Sequence, residues 1–222
     1  MLGDNLISVL IVDDHDIVRA GIARLLGDIK GFKVVGEADS GEKAVRMAKE
    51  NKPNVVLMDI KMPGIGGLEA TRKMLRNDPE IKIIALTVCG EEPFPSKLLH
   101  AGAVGYITKG SGLDEIVNAI KAVHSGKRYI GPEIAQQLAL KTVLDSDKSP
   151  LDLLSERELQ VMMMITEGQK VQDISDKLCL SPKTVNSYRY RLFDKLSVES
   201  DVELTHLAIR YGILDTIKLE LE

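Results

Sequence analysis

The chain has 222 residues, room for one large domain or two modest ones with their own cores. Its 44% apolar and 28% charged residues exclude a disordered or fibrous chain, and no apolar stretch approaches membrane-spanning length. A net charge of −4 excludes a generally basic, nucleic-acid-coating protein, so any DNA-binding surface must be local.

From residue 6 to 125, short β-branched runs alternate with amphipathic stretches. Strands are expected at 7–12, 32–37, 54–59, 81–87 and 104–108, with helices near 16–28, 41–51, 67–76, 94–101 and 112–125. Such alternation predicts an α/β fold, a doubly wound, five-stranded parallel sheet covered on both faces. Gly31, Gly41, Pro53, Gly66, Gly67, Pro79 and Gly102 fall at the expected breaks.

After Gly126 the strand signals stop, and a short helix from Pro132 leads into the polar run 145–150. The expected division is residues 1–126, a linker at 127–150 with a short helix, and an all-α domain at 151–222. Ser155 and Glu158 form a capping box opening a helix at 156–167. Further helices are expected at 171–178, 182–196 and 201–210, the third opened by Ser181 and Pro182. No N-terminal stretch reads as a secretory leader, and Cys89 and Cys179 lie far apart. A cytoplasmic protein with two buried thiols is therefore expected.

Chemistry concentrates at the carboxyl ends of the expected strands. Asp13 and Asp14 end the first, Asp59 the third, and Thr87 and Lys109 close two more. In an open parallel sheet these ends face one crevice. Three carboxylates gathered there repel one another unless they share a cation, and two acids beside a nucleophile suit Mg2+. Asp59 then reads as a phosphoacceptor, with Lys109 pairing one phosphoryl oxygen and Thr87 bonding another. Any one of these acids alone is a common helix cap. Five polar groups of this kind gathered at four strand ends are not.

These residues resemble the receiver domain of bacterial two-component response regulators. The match lies in Val12-Asp13-Asp14-His15, Met58-Asp59-Ile60-Lys61-Met62-Pro63-Gly64, Leu86-Thr87 and Gly105-Tyr106-Ile107-Thr108-Lys109. The resemblance implies a flavodoxin-like fold and phosphorylation of Asp59. It also implies magnesium held by Asp14, Asp59 and the Lys61 carbonyl, with Asp13 acting through water. Thr87 and Tyr106 would form the switch. On bare sequence, Tyr106 is expected half-buried. Gly110 replaces the proline that many receivers carry after the lysine.

The acidic second half (9 basic against 13 acidic residues in 150–222) carries Lys183, Arg189, Arg191 and Lys195 within 181–196 against Asp194 alone. On that helix Val185, Tyr188, Leu192 and Leu196 share an apolar face. The opposite face suits the major groove: Asn186, Ser187 and Tyr190 for base readout, with Lys183, Thr184, Arg189, Arg191 and Lys195 for the DNA backbone. Residues 151–211 resemble the LuxR/NarL/FixJ-type helix-turn-helix output domain. The carriers are Leu154-Ser155-Glu156-Arg157-Glu158, Glu167-Gly168, Val171-Gln172-Asp173-Ile174-Ser175 and Leu180-Ser181-Pro182-Lys183-Thr184-Val185. That resemblance implies a homodimer contact on the last helix through Val202, Leu204, Leu207 and Ala208, which could equally be core.

Residues 64–73, 183–191 and 201–210 are most similar to the GacA/UvrY/LetA type. This implies a BarA/GacS-like hybrid sensor kinase as partner, and activation of small regulatory RNA genes whose products sequester a CsrA-type protein. Two rivals carry less. An aspartyl-phosphate hydrolase of small esters needs an acid two residues past the nucleophile, where Lys61 stands. A sensor of small apolar signals is at odds with no Trp and three Phe. His15, His100, His124 and His206 lack metal-ligand spacing and read as surface residues. The tail 215–222 has no assigned role.

Overall fold

The structure is a computed structural model describing residues 6–87, 94–143 and 149–214; the side chains of 94–96 and 141–143 lie outside that description. The chain divides into two compact units near residue 145.

The first unit runs β1 (Ile7–Val12), α1 (Asp16–Gly27), β2 (Phe32–Ala38), α2 (Gly41–Asn51), β3 (Val55–Asp59) and α3 (Gly66–Asn77). It continues with β4 (Lys82–Thr87), α4 (Phe94–His100), β5 (Gly105–Thr108), α5 (Leu113–His124), β6 (Tyr129–Ile130) and α6 (Pro132–Val143). All paired strands are parallel, in the order β2-β1-β3-β4-β5-β6. The order reverses between β1 and β3, and this places a crevice at their carboxyl ends.

Side chains of a strand alternate between faces, so each central strand feeds two cores. Val55 and Leu57 of β3 join Val9, Ile11, Ile84 and Leu86 under α1 and α5. Val56 and Met58 face the other way, with Leu10, Val12 and Ile83, under α2 and α3.

The sheet has six strands where the sequence suggests five. Two residues are too few to show a period, so Tyr129–Ile130 leaves no pattern. The extra strand is fixed by main-chain bonds, Tyr129 N–H to the Val104 carbonyl (3.0 Å) and Gly131 N–H to the Tyr106 carbonyl (2.8 Å). Ile134 of α6 is buried. Much of the expected 127–150 linker therefore belongs to the first unit, and 144–148 lie outside the described residues.

The second unit is helical: a 3-10 turn (Pro150–Leu153), α7 (Glu156–Thr166), α8 (Val171–Leu178), α9 (Pro182–Leu196) and α10 (Asp201–Arg210). Serines open three of these helices. Ser155, Ser181 and Ser200 accept from the N–H groups of Glu158, Thr184 and Glu203, and Ser155 and Glu158 complete the capping box. Helix α7 packs against α8, α9 and α10. Val185, Leu192 and Leu196 are buried on α9 as the helical period predicts, but Tyr188 is only half-buried, with the Arg191 guanidinium 5.7 Å over its ring. Cys179, at φ +53° in the turn between α8 and α9, is exposed, contrary to the expectation of a buried thiol; Cys89 lies outside the described residues.

Candidate phosphoacceptor site and nucleic-acid interface

Parallel register sets Asp59 at the end of β3, beside Leu86 of β4, while Thr87 pairs with Thr108 just before Lys109. Asp13 and Asp14 follow β1 on the other side. Asp13, Asp59 and Thr87 are buried, and Asp14 is largely so. Lys109 Nζ lies 2.8 Å from Asp59 Oδ2 and 3.0 Å from Asp13 Oδ2, bridging the two strand ends. The backbone N–H of Lys61 donates to Asp59 Oδ1 at 3.2 Å, which fixes the loop carrying the Lys61 carbonyl.

The start of α3 presses against this strand end. A Cβ on Gly67 would sit 2.0 Å from the Asp59 carbonyl oxygen, so no larger residue fits without moving it. Gly67 N–H instead donates to the Ile60 carbonyl at 3.0 Å.

Burial pushes the Asp59 carboxyl up to about 7; Asp13 and Asp14 push the same way, and Lys109 opposes them. Burial works against the Lys109 charge too, but Asp59 and Asp13 outweigh it and hold the ammonium above the ordinary lysine range. Burial, more than its acidic neighbours, thus disfavours charge on Asp59, and Lys109 only partly offsets it.

Two residues beyond the sequence expectation belong to this site. His15 Nδ1 lies 3.1 Å from Asp13 Oδ1 and 3.0 Å from Asp14 Oδ1, and is not a detached surface histidine. Donor atoms of Asp13, Asp14, His15 and Asp59 all fall within 4.8 Å of one another, a set that fits a divalent cation. Arg19 Nη1 donates to the Asp13 carbonyl at 2.7 Å and holds the acidic loop in place. Adjacency to Asp14 is the signal for His15; nothing in spacing singles out Arg19. Tyr106 is wholly buried rather than half-buried.

On α9, Lys183, Ser187, Tyr190 and Arg191 are exposed, with Tyr190 67% so, and Asn186 and Thr184 are half-buried. Three of the expected backbone contacts have intramolecular partners. Arg189 holds Asp201 through Nε–Oδ1 (2.7 Å) and Nη2–Oδ2 (2.6 Å). Lys195 Nζ meets Glu158 Oε2 at 2.7 Å and donates to the Leu153 carbonyl at 3.1 Å. The Thr184 hydroxyl lies 2.8 Å from the capping Ser181 hydroxyl. Both cations are thus already engaged by acids of their own unit. Of the expected dimer contacts, Leu204 and Ala208 are fully buried and unavailable; Val202 is 65% exposed and Leu207 half-buried.

Comparison with known proteins agrees with this layout. A family model described as the response regulator receiver domain matches residues 9–121, and one described as bacterial regulatory proteins, luxR family, matches 152–208. The chain belongs to the LuxR-family response regulators.

The regulator is 65% identical over 211 residues to the response regulator GacA of Pseudomonas syringae pv. syringae (strain B728a), covering 95% of this chain and 99% of the relative. It is 60% identical over 209 residues to the response regulator UvrY of Escherichia coli (strain K12), covering 94% and 96%. Among solved structures, RcsB of Salmonella typhimurium superposes with a TM-score of 0.72 at 27% identity, covering 91% of this chain and 96% of that one. An RcsB–DNA complex gives 0.71 at 27%, covering 91% and 98%. The regulator is a phosphorylation-dependent, DNA-binding transcription regulator built from a receiver and a helix-turn-helix unit. Among the described residues no helix is long and apolar enough to cross a membrane.

Proposed function

We propose that a sensor histidine kinase of the BarA/GacS-like hybrid type delivers a phosphoryl group to Asp59 in the cytoplasm. An Asp59 carboxylate oxygen bonds to phosphorus as the bond to the donor nitrogen breaks, leaving an acyl phosphate and a neutral imidazole on the kinase. The observation that carries this reading is Lys109 Nζ, 2.8 Å from Asp59 Oδ2 and 3.0 Å from Asp13 Oδ2, poised to pair a phosphoryl oxygen. Asp14, Asp59 and the Lys61 carbonyl would hold Mg2+ directly, and Asp13 would hold it through water. The ion supplies charge neutralisation as the phosphoryl moves. The Thr87 hydroxyl takes another phosphoryl oxygen, and its movement acts on the buried Tyr106 ring and the surface around α4 and β5.

The phosphorylated regulator then binds DNA as a homodimer and activates genes, among them small regulatory RNA genes. Lys183 and Arg191 contact the DNA backbone, and Asn186, Ser187 and Tyr190 read bases. Lys61, standing where a small-ester hydrolase needs its second acid, supports a switch over turnover.

Intact-mass spectrometry after acetyl phosphate and Mg2+ treatment tests the first half. One phosphoryl adduct is expected on the wild type and none on Asp59→Asn. An adduct on another residue, or catalytic turnover of phosphomonoesters, would overturn it. Genome-wide mapping of bound DNA with and without the donor tests the second half, since Asp59→Asn should lose the donor-dependent sites.

A further inference from the structure

His15 is held in a way that an ordinary surface ion pair does not explain. Its Nδ1 lies 3.1 Å from Asp13 Oδ1 and 3.0 Å from Asp14 Oδ1, although a ring nitrogen carries at most one proton to donate. Asp13 Oδ1 already accepts the His15 backbone N–H at 2.8 Å. Three donor atoms thus converge, two oxygens and a nitrogen, with Asp59 completing a set within 4.8 Å. Around a six-coordinate ion with bonds of about 2.1 Å, neighbouring donors stand about 3 Å apart. The 3.0 Å between Nδ1 and Asp14 Oδ1, the carboxylate assigned to direct binding, matches that edge. The imidazole is anchored by its own main chain, with its side chain 52% exposed, so coordination through Nδ1 leaves Nε2 and its proton free to face water.

We propose that His15 is a nitrogen ligand of this cation site, which therefore takes Mn2+, Co2+ or Zn2+ more tightly than Mg2+. The chemistry of the donors sets the preference. Magnesium is hard, keeps its waters and gains little from an imidazole, whereas first-row transition dications gain a strong bond. Asp13, Asp14 and Asp59 supply charge to any dication, and the His15 nitrogen widens the preference for transition metals. The regulator is then tuned to the cell's transition-metal supply as well as to its kinase. This inference rests on the cation reading given above.

The experiment is pulsed electron paramagnetic resonance on the full-length protein with one equivalent of Mn2+, beside Co2+ and Mg2+ titrations by calorimetry. The wild type is expected to show a nitrogen coupling to bound Mn2+ that His15→Ala and His15→Asn both lose. Both variants should weaken Co2+ binding about tenfold or more while changing Mg2+ binding less than about twofold. Mn2+ bound without nitrogen coupling overturns the role of His15 and leaves the cation site standing. Equal loss for both metals overturns it as well, by assigning His15 to the loop's shape. No binding of any dication would sink the cation reading itself.

Discussion

Arg189 and Asp201 are joined by two parallel bonds, Nε to Oδ1 at 2.7 Å and Nη2 to Oδ2 at 2.6 Å, so α9, the helix proposed to enter the DNA groove, is tied to α10. The Arg189 guanidinium also lies 5.5 Å over the Phe193 ring. If Arg189 orients α9 through this pair, Arg189→Ala and Asp201→Ala weaken DNA binding by similar factors, and the salt dependence of binding keeps its slope. Filter-binding titrations across salt concentrations check this. A slope reduced by about one in Arg189→Ala alone would show instead that the guanidinium leaves Asp201 for a phosphate.

Asp59 gives the first unit a pH signature. Its folded-state pKa of about 7 stands above the ordinary 3.8, so the folded chain holds a proton that the unfolded chain releases. The associated stability is full below the ordinary value and is lost as pH rises through 7. The unfolding temperature of the metal-free protein should therefore fall as pH rises from about 4 to 7 and level off above, and added Mg2+ should restore it. Mg2+ affinity should rise about tenfold per pH unit below 7 and level off above, because the ion must displace that proton. Calorimetric titrations at several pH values read this directly.

Gly67→Ala is expected to cost about 1–3 kcal/mol of stability, the usual penalty of overpacking. The added carbon would meet the Asp59 carbonyl oxygen at 2.0 Å and the Ile60 Cα at 2.8 Å, both main-chain atoms with no room to yield. Phosphorylation by acetyl phosphate should slow in the same variant, since the displaced atoms include the main chain of Asp59, the proposed phosphoacceptor. Gly21→Ala, in the middle of α1 where nothing lies within 4 Å, is the control expected to leave phosphorylation unchanged and to raise stability by about 0.5–1 kcal/mol.

Glu158 combines a helix cap with an ion pair. Burial raises its carboxyl, but Lys195 and Ser155 outweigh burial and hold it below the ordinary 4.5. Its contribution is present above that value and disappears as pH falls through the lowered one. Lys195→Ala should therefore move the acid loss of helical circular dichroism to higher pH. It should also destabilise the second unit by about 1 kcal/mol at neutral pH.

On the exposed side of α9, Lys183→Ala should weaken binding to all sequences and reduce the salt slope by about one. Asn186→Ala should change which base is preferred at one operator position, at a cost of about 1–3 kcal/mol for the favoured base. Selection from a randomised operator library separates the two.

The parallel sheet and its crevice are legible because each buried strand carries an unbroken apolar run ending in a polar residue, as Val55 to Asp59 does. Two helix starts are equally open to reading, since Ser155 and Ser181 announce their caps. Tertiary partners are another matter. That Arg189 and Lys195 face Asp201 and Glu158 depends on how helices cross, which a wheel drawn for one helix does not contain. The same limit applies to α10, where Val202 and Leu204 are both apolar but only Leu204 is buried. His15 shows the reverse case: its neighbours in sequence are its neighbours in space, yet a tight turn after β1, not spacing, brings its nitrogen to both carboxylates.

Strand β3 sends Val55 and Leu57 to one core and Val56 and Met58 to the other, and it ends in Asp59. A charge arriving there sits at the end of a strand on which α1 and α5 rest from one face of the sheet and α2 and α3 from the other. The message needs no dedicated wire, because the strand that receives it is already the common wall of two rooms.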